Sequence, residues 1–205
     1  VAKIKLTKNE LKHQRDSLKM YKRYLPTLQL KKQQLQIEIR GIEARRIELE
    51  AQKKVLEAGF GAWIGVFGES RAVYGSDGRP LLTVDQIRTR MGNIAGVEIP
   101  VFEGADFALA DYDLYAAPLW VDAALERLKK ALLLDLESQV LSQQAERLGT
   151  ELRVTSQRVN LFEKVKIPEA EEAIRRIGIY LGDEQTAQVV RGKFAKKKVA
   201  ERSSQ

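Results

Sequence analysis

Leu28-Gln29-Leu30-Lys31-Lys32-Gln33-Gln34-Leu35-Gln36-Ile37-Glu38-Ile39-Arg40-Gly41-Ile42 holds a row of apolar residues seven apart, Leu28, Leu35 and Ile42, which Leu49 and Leu56 continue. A second row, Leu11, Leu18, Leu25 and Ile39, lies three residues ahead of that register. Two such rows are the a and d positions of one heptad, the pattern of a helix that buries a narrow seam against another helix. Lys32, Arg46 and Lys53 interrupt the second row; charged residues there weaken a seam but can fix its register against a particular partner. Thr7 followed by Glu10 resembles a capping box, so the helix is expected to start at Thr7 and run to Ala58. Pro26 lies inside it and is expected to bend the helix without ending it.

The complementary stripe lies at the other end of the chain. Leu134, Leu141, Leu148, Thr155 and Phe162 form one row, with Ala145, Leu152 and Val159 in the other. Neither helix is stable alone at this polarity, and a connection that leaves and returns beside the pair makes them antiparallel. With residue 58 near 119, residue 26 falls near about 151 and residue 9 near about 168. In that register the second helix outruns the first. Ile174, Ile177 and Leu181 then continue an apolar stripe beyond Pro168 that another protein is expected to cover.

Glycine and proline mark what lies between. Nine of the 14 glycines and three of the five prolines fall within residues 59–118, and both residue types are costly in helix interiors. The Asp77-Gly78 step between Val73 and Leu82 suggests a tight hairpin, with Pro80 confining its second arm to a sheet edge. Asn93 to Phe102 reads as a strand or extended loop, and Phe107 to Tyr115 is rich in aromatic and acidic residues. The expected organisation is mainly α: an N-terminal coiled-coil helix (1–58), a small α/β or hairpin-containing head (59–118), a C-terminal coiled-coil helix (119–190) and a basic tail (191–205).

Charge follows the same division. The net charge is +7; residues 1–58 carry 15 Lys/Arg against 7 Asp/Glu, residues 59–118 carry 4 against 8, and residues 119–205 carry 16 against 13. Arg191, Lys193, Lys196, Lys197, Lys198 and Arg202 cluster near the end. Such a cluster suits an acidic partner, and with Phe194 as the one aromatic among them it lacks the stacking residues of a nucleic-acid surface. With no cysteine, a disulfide or thiolate metal site is excluded, and a reducing, cytoplasmic setting is expected. The apolar run Ala58 to Gly68 is too short to span a bilayer, and the first residues lack a signal-peptide apolar stretch.

Catalytic and ligand-binding chemistry finds little to use. Gly59-Phe60-Gly61-Ala62-Trp63-Ile64-Gly65 resembles a phosphate loop only in its glycines, since it follows a helix and lacks the closing Gly-Lys-Ser/Thr. Asp106, Asp111 and Asp113 match no calcium-loop spacing, and His13, the one histidine, has no partner to make it a base. No catalytic, cofactor or metal site is expected.

The run Gln157-Arg158-Val159-Asn160-Leu161-Phe162-Glu163, then Ile167-Pro168, Ile174, Ile177 and Leu181, and finally Arg191-Gly192-Lys193-Phe194-Ala195-Lys196, resembles the C-terminal signature of the D subunits of V-type and archaeal A-type rotary ATPases. Thr7-Lys8 and Leu11 opening a heptad helix agree with it, and Asn93 to Pro100 looks like the bacterial branch. The resemblance implies a non-catalytic central shaft inserted into a hexamer of catalytic and nucleotide-binding A and B subunits. It further implies that an F subunit joins the shaft and that a C subunit links it to the membrane ring. Ile174, Ile177, Leu181, Arg191, Lys193, Lys196 and Lys197 are the expected partner contacts. A generic coiled-coil adaptor and a basic RNA-binding arm are the competing readings.

Overall fold

The computed structural model describes residues 5–61, 78, 80–112, 115, 118 and 120–203. Helix α1 spans Lys8–Gly61, strands β1 and β2 span Leu82–Ile94 and Val97–Leu109, and helix α2 spans Val121–Leu161. A π-helical turn, Phe162–Lys166, leads into helix α3, Ile167–Ser203. The molecule divides into two compact units, one of residues 1–32 with 154–205 and one of residues 33–153.

Thr7 caps α1: its hydroxyl accepts a hydrogen bond from the Glu10 backbone N–H at 3.3 Å, which satisfies a donor that the first helical turn leaves free. The helix passes through Pro26 without ending.

In the unit of residues 33–153, Leu35, Ile42 and Leu148 are buried together with Ile99 of β2. Ile39, Leu141, Ala145 and Leu152 pack around them, so both heptad seams meet as their spacing predicts. Two ion pairs cross between α1 and α2, Arg45 to Glu137 at 3.0 Å and Lys53 to Asp135 at 2.7 Å. As residue number rises along α1 it falls along α2, which makes the pair antiparallel. Lys53, which breaks the apolar row in sequence, is therefore matched by an acid on the facing helix. Exposed pairs of this kind contribute only about 0–1 kcal/mol, so Lys53 serves register more than stability.

In the other unit, the rings of Tyr21 of α1 and Phe162 meet at a tilt, centroids 5.1 Å apart. The register drawn from the sequence would have set Tyr21 near residue 156, so the observed pairing is displaced by about six residues. The helix ends account for it. α1 continues three residues beyond Ala58, to Gly61, and α2 begins at Val121 rather than 119, so the hairpin closes later on both sides.

The strands form one antiparallel two-stranded sheet. Its turn is Ala95-Gly96, both left-handed at φ 51° and 80°, the twist that suits a two-residue hairpin. The Asn93 side-chain oxygen accepts a hydrogen bond from the Gly96 N–H at 3.0 Å and holds the turn closed. The hairpin observed is thus the Asn93 to Phe102 stretch and its flanks. The expected Asp77-Gly78 turn lies largely outside the described residues. The base of the hairpin is fixed separately: Leu81, Leu82, Val121 and Leu125 form a second buried cluster, with Phe107 and Trp120 against it. Tyr112 donates a hydrogen bond from its hydroxyl to Asp122 in the first turn of α2.

Along α2 the buried positions Leu136, Val140, Gln144 and Leu148 recur every four residues, not in the alternating three and four of a heptad. A step of four advances the buried face by roughly 40°. The face turns because this stretch of α2 packs against the hairpin as well as α1.

Candidate functional site

The C-terminal helix carries all seven expected contact residues. Ile177 is fully buried, beside the buried Ala170 and Ala173, while Ile174 and Leu181 are half-buried. The expectation that α1 leaves Ile174, Ile177 and Leu181 uncovered is corrected by this burial, fully at Ile177 and in part at Ile174 and Leu181. Its cause is the register: displaced by six residues, the start of α1 lies level with residues near 175 instead of near 168. Arg191, Lys193, Lys196 and Lys197 are exposed, and they share the last stretch of α3 with the exposed apolar side chains Val189, Val190, Phe194 and Val199. Val190 and Phe194 are four apart and so lie on one helical face. Exposed apolar side chains on α3 therefore start at Ile179 and Tyr180, and those beyond Leu181 are interleaved with positive charge.

Further back on α3, Glu172 is held between Arg175 and Arg176, with hydrogen bonds of 2.9 and 2.6 Å. Their donors stabilise the carboxylate and pull its pKa down to about 2. The hydrogen bonds form a helix-surface network at i+3 and i+4, and Glu172 and Arg176 also line a cleft with His13 and Lys166.

The residues weighed for chemistry are dispersed. His13 is largely exposed and lies 4.0 Å from Glu10. Asp106 pairs with Arg88 across the hairpin at 3.5 Å, Asp111 is exposed, and Asp113 lies outside the described residues. Gly59 and Gly61 belong to α1, so no strand leads into that glycine run, whose remainder is not described. Among the described residues no three His, Asp or Glu side chains gather to hold a metal ion. Nor is any helix among them long and apolar enough to cross a membrane. Sequence reasoning missed Gln144, buried at the hairpin contact, because a lone glutamine in a helix carries no signal of its partner.

Antiparallel helices, a β-hairpin inserted between them in sequence and a basic helix end with exposed apolar side chains define a mainly helical protein of coiled-coil type. Residues 10–197 match the family of ATP synthase D subunits. The V-type ATP synthase D subunit of Borreliella burgdorferi is 48% identical over 199 residues, covering 96% of this chain and 95% of that protein. Proteins of the same name from Chlamydia muridarum and Chlamydia pneumoniae are 32% and 33% identical. The first alignment covers 97% of both chains, the second 96% of this chain and 93% of the other. The chain belongs to this family of ATP synthase D subunits, which form the central stalk of V- and A-type ATPases.

Proposed function

We propose that the chain is the non-catalytic rotor shaft of its complex, coupling ATP hydrolysis or synthesis in a hexamer of A and B subunits to proton or sodium transport. In this reading an F subunit joins the shaft, a C subunit links it to the membrane ring, and the protein works at the cytoplasmic face without entering the bilayer. The single observation that supports it is the end of α3, where Val190 and Phe194 are exposed among Arg191, Lys193, Lys196 and Lys197. A helix end of that composition suits a socket with an apolar wall and an acidic rim. A shaft needs no nucleophile: an asymmetric surface that meets three like sites differently switches them in turn as it rotates.

The test is co-purification of the full chain from its native membranes, with the bound chains identified. Recovery of the hexamer, together with crosslinks from residues 190–197 to it, is the expected result. Crosslinks from that stretch to membrane-side subunits alone would overturn it, and recovery of RNA without ATPase subunits would favour the basic-arm reading.

A further inference from the structure

In the unit of residues 1–32 with 154–205, the hydrogen-bond ladder is interrupted on both helices, and Tyr21, five residues before Pro26, meets Phe162 at the start of the second interruption. Pro26 has no N–H, so the Lys22 carbonyl four residues earlier loses its helical donor. On the other strand α2 ends at Leu161, and the π-helical turn Phe162–Lys166 follows. There the Ile167 N–H donates to the Phe162 carbonyl, five residues back instead of four. Pro168 then removes a second donor. The ring of Tyr21, next to Lys22, meets that of Phe162, the first residue of the π-turn, at a tilt of 46°.

The seam records the inserted residue. Thr155 to Val159 and Ala173 to Ile177 are steps of four, and Ala170 to Ala173 is a step of three. Through the turn the half-buried positions are Phe162, Lys166 and Ile167, so the seam takes eight residues from 162 to 170, the equivalent of two steps of four. Two successive steps of four are one residue more than a heptad allows, and the wider π-turn takes up the excess. Beside it a cleft of about 360 Å³ lies between the two helices, lined by Gln14, Ser17, Tyr21, Lys166, Ala170 and Ala173 among others.

A kink in one strand of a helix pair is ordinarily splinted by an unbroken neighbour. Here neither neighbour is unbroken. We propose that Pro26 with Lys22, and Phe162 to Pro168, form one compound hinge whose two halves open together, coupled through Tyr21 and Phe162. Its use as a yielding point in a turning shaft rests on the stalk reading above. The hinge itself is a property of the chain alone, so its failure and that of the stalk reading are separable.

Amide hydrogen exchange on the full-length chain tests it. Pro26→Ala restores the donor in α1, and coupling requires that it slow exchange across the interface, at residues 163–167, by about tenfold. The reciprocal variant, deletion of Val165 with Pro168→Ala, is expected to slow residues 22–27 by a similar factor. Amides of Ile42 to Leu49, in the other unit, should not change, which separates hinge closure from global stabilisation. Tyr21→Ala is expected to abolish the cross-strand effect of Pro26→Ala while the protein remains helical by circular dichroism. If Pro26→Ala protects only its own strand, the two interruptions are independent and the compound hinge is wrong; that result needs only the conservative variant, whatever the deletion does to folding.

Discussion

The side-chain amide of Gln144 donates a hydrogen bond to the backbone carbonyl of Pro100, fastening the turn-proximal part of β2 to α2. One turn along, Arg147 donates to the Glu98 carbonyl at 3.2 Å. Carbonyls two apart on a strand point to the same edge, so helix side chains satisfy the outer edge of β2 where a third strand would otherwise pair. Pro100 fits this edge because its missing N–H would face outward, away from β1.

Removing the Gln144 amide is expected to leave the Pro100 carbonyl without its partner. Gln144→Ala should cost about 1–3 kcal/mol in urea unfolding. Gln144→Glu should cost more, because a carboxylate would face an acceptor in a buried position. Equal and negligible losses in both variants would mean that the hairpin is held by Ile99 packing alone.

Leu148 is fully buried between α1 and the hairpin, whereas Leu161, on the same helix, is 44% exposed. Leu148→Ala is expected to destabilise by about 2–5 kcal/mol, through lost burial and the cavity left behind. Leu161→Ala should stay within about 0.5 kcal/mol. Urea midpoints of the two variants check the contrast, and similar midpoints would contradict the assigned seam.

These seams were legible because Leu35, Ile42 and Leu148 sit in heptads, a period that only a helix partner explains. Their register was not, because it depends on where α1 stops, and Gly59 and Gly61, read as helix breakers, belong to the helix. A glycine there costs about 1 kcal/mol, which tertiary packing can offset. The hairpin turn was obscured for a related reason: Asp77-Gly78 is the more typical turn pair, while Ala95 adopts a left-handed conformation that its side chain disfavours. Asn93, three residues before Gly96, was the available clue. The π-turn left no mark beyond Pro168, since extra residues in a helix show only against a known partner. Of the residues expected to meet a partner, the basic ones are exposed, as their charge suggests; the burial of Ile177 was not legible, because its cover is set by the same register.

Glu172 gives the chain a local acid sensitivity. Arg175 and Arg176 hold its folded pKa at about 2, below the ordinary value of 4.5. A depressed carboxylate contributes stability that is complete above its unfolded pKa and lost as pH falls through the folded one. The loss therefore falls between about pH 4.5 and 2. Glu172→Gln should flatten the pH dependence of thermal stability in that window, and in the Arg175→Ala/Arg176→Ala variant the Glu172 carboxyl should titrate, by NMR, closer to its ordinary range. An unshifted titration in the wild-type chain would remove the network as a source of acid sensitivity.

Ile177 and Phe194 separate what the C-terminal helix does for its own fold from what it does for a partner. Both are large apolar residues on α3, but Ile177 is fully buried and Phe194 is 65% exposed. An aspartate at 177 would bury an unpaired charge, so Ile177→Asp is expected to lower the melting temperature and release the paired helix ends before any partner is added. Phe194→Asp, and likewise Lys196→Glu with Lys197→Glu, should leave melting unchanged because these side chains already face solvent. If the end of α3 is the surface that meets the hexamer, those same variants should lose co-assembly, and the Lys196 and Lys197 reversals should make any residual binding less sensitive to salt. Circular dichroism melts set beside co-purification yields distinguish the outcomes. Full co-assembly by Phe194→Asp and by the double reversal would move the contact surface elsewhere on the chain.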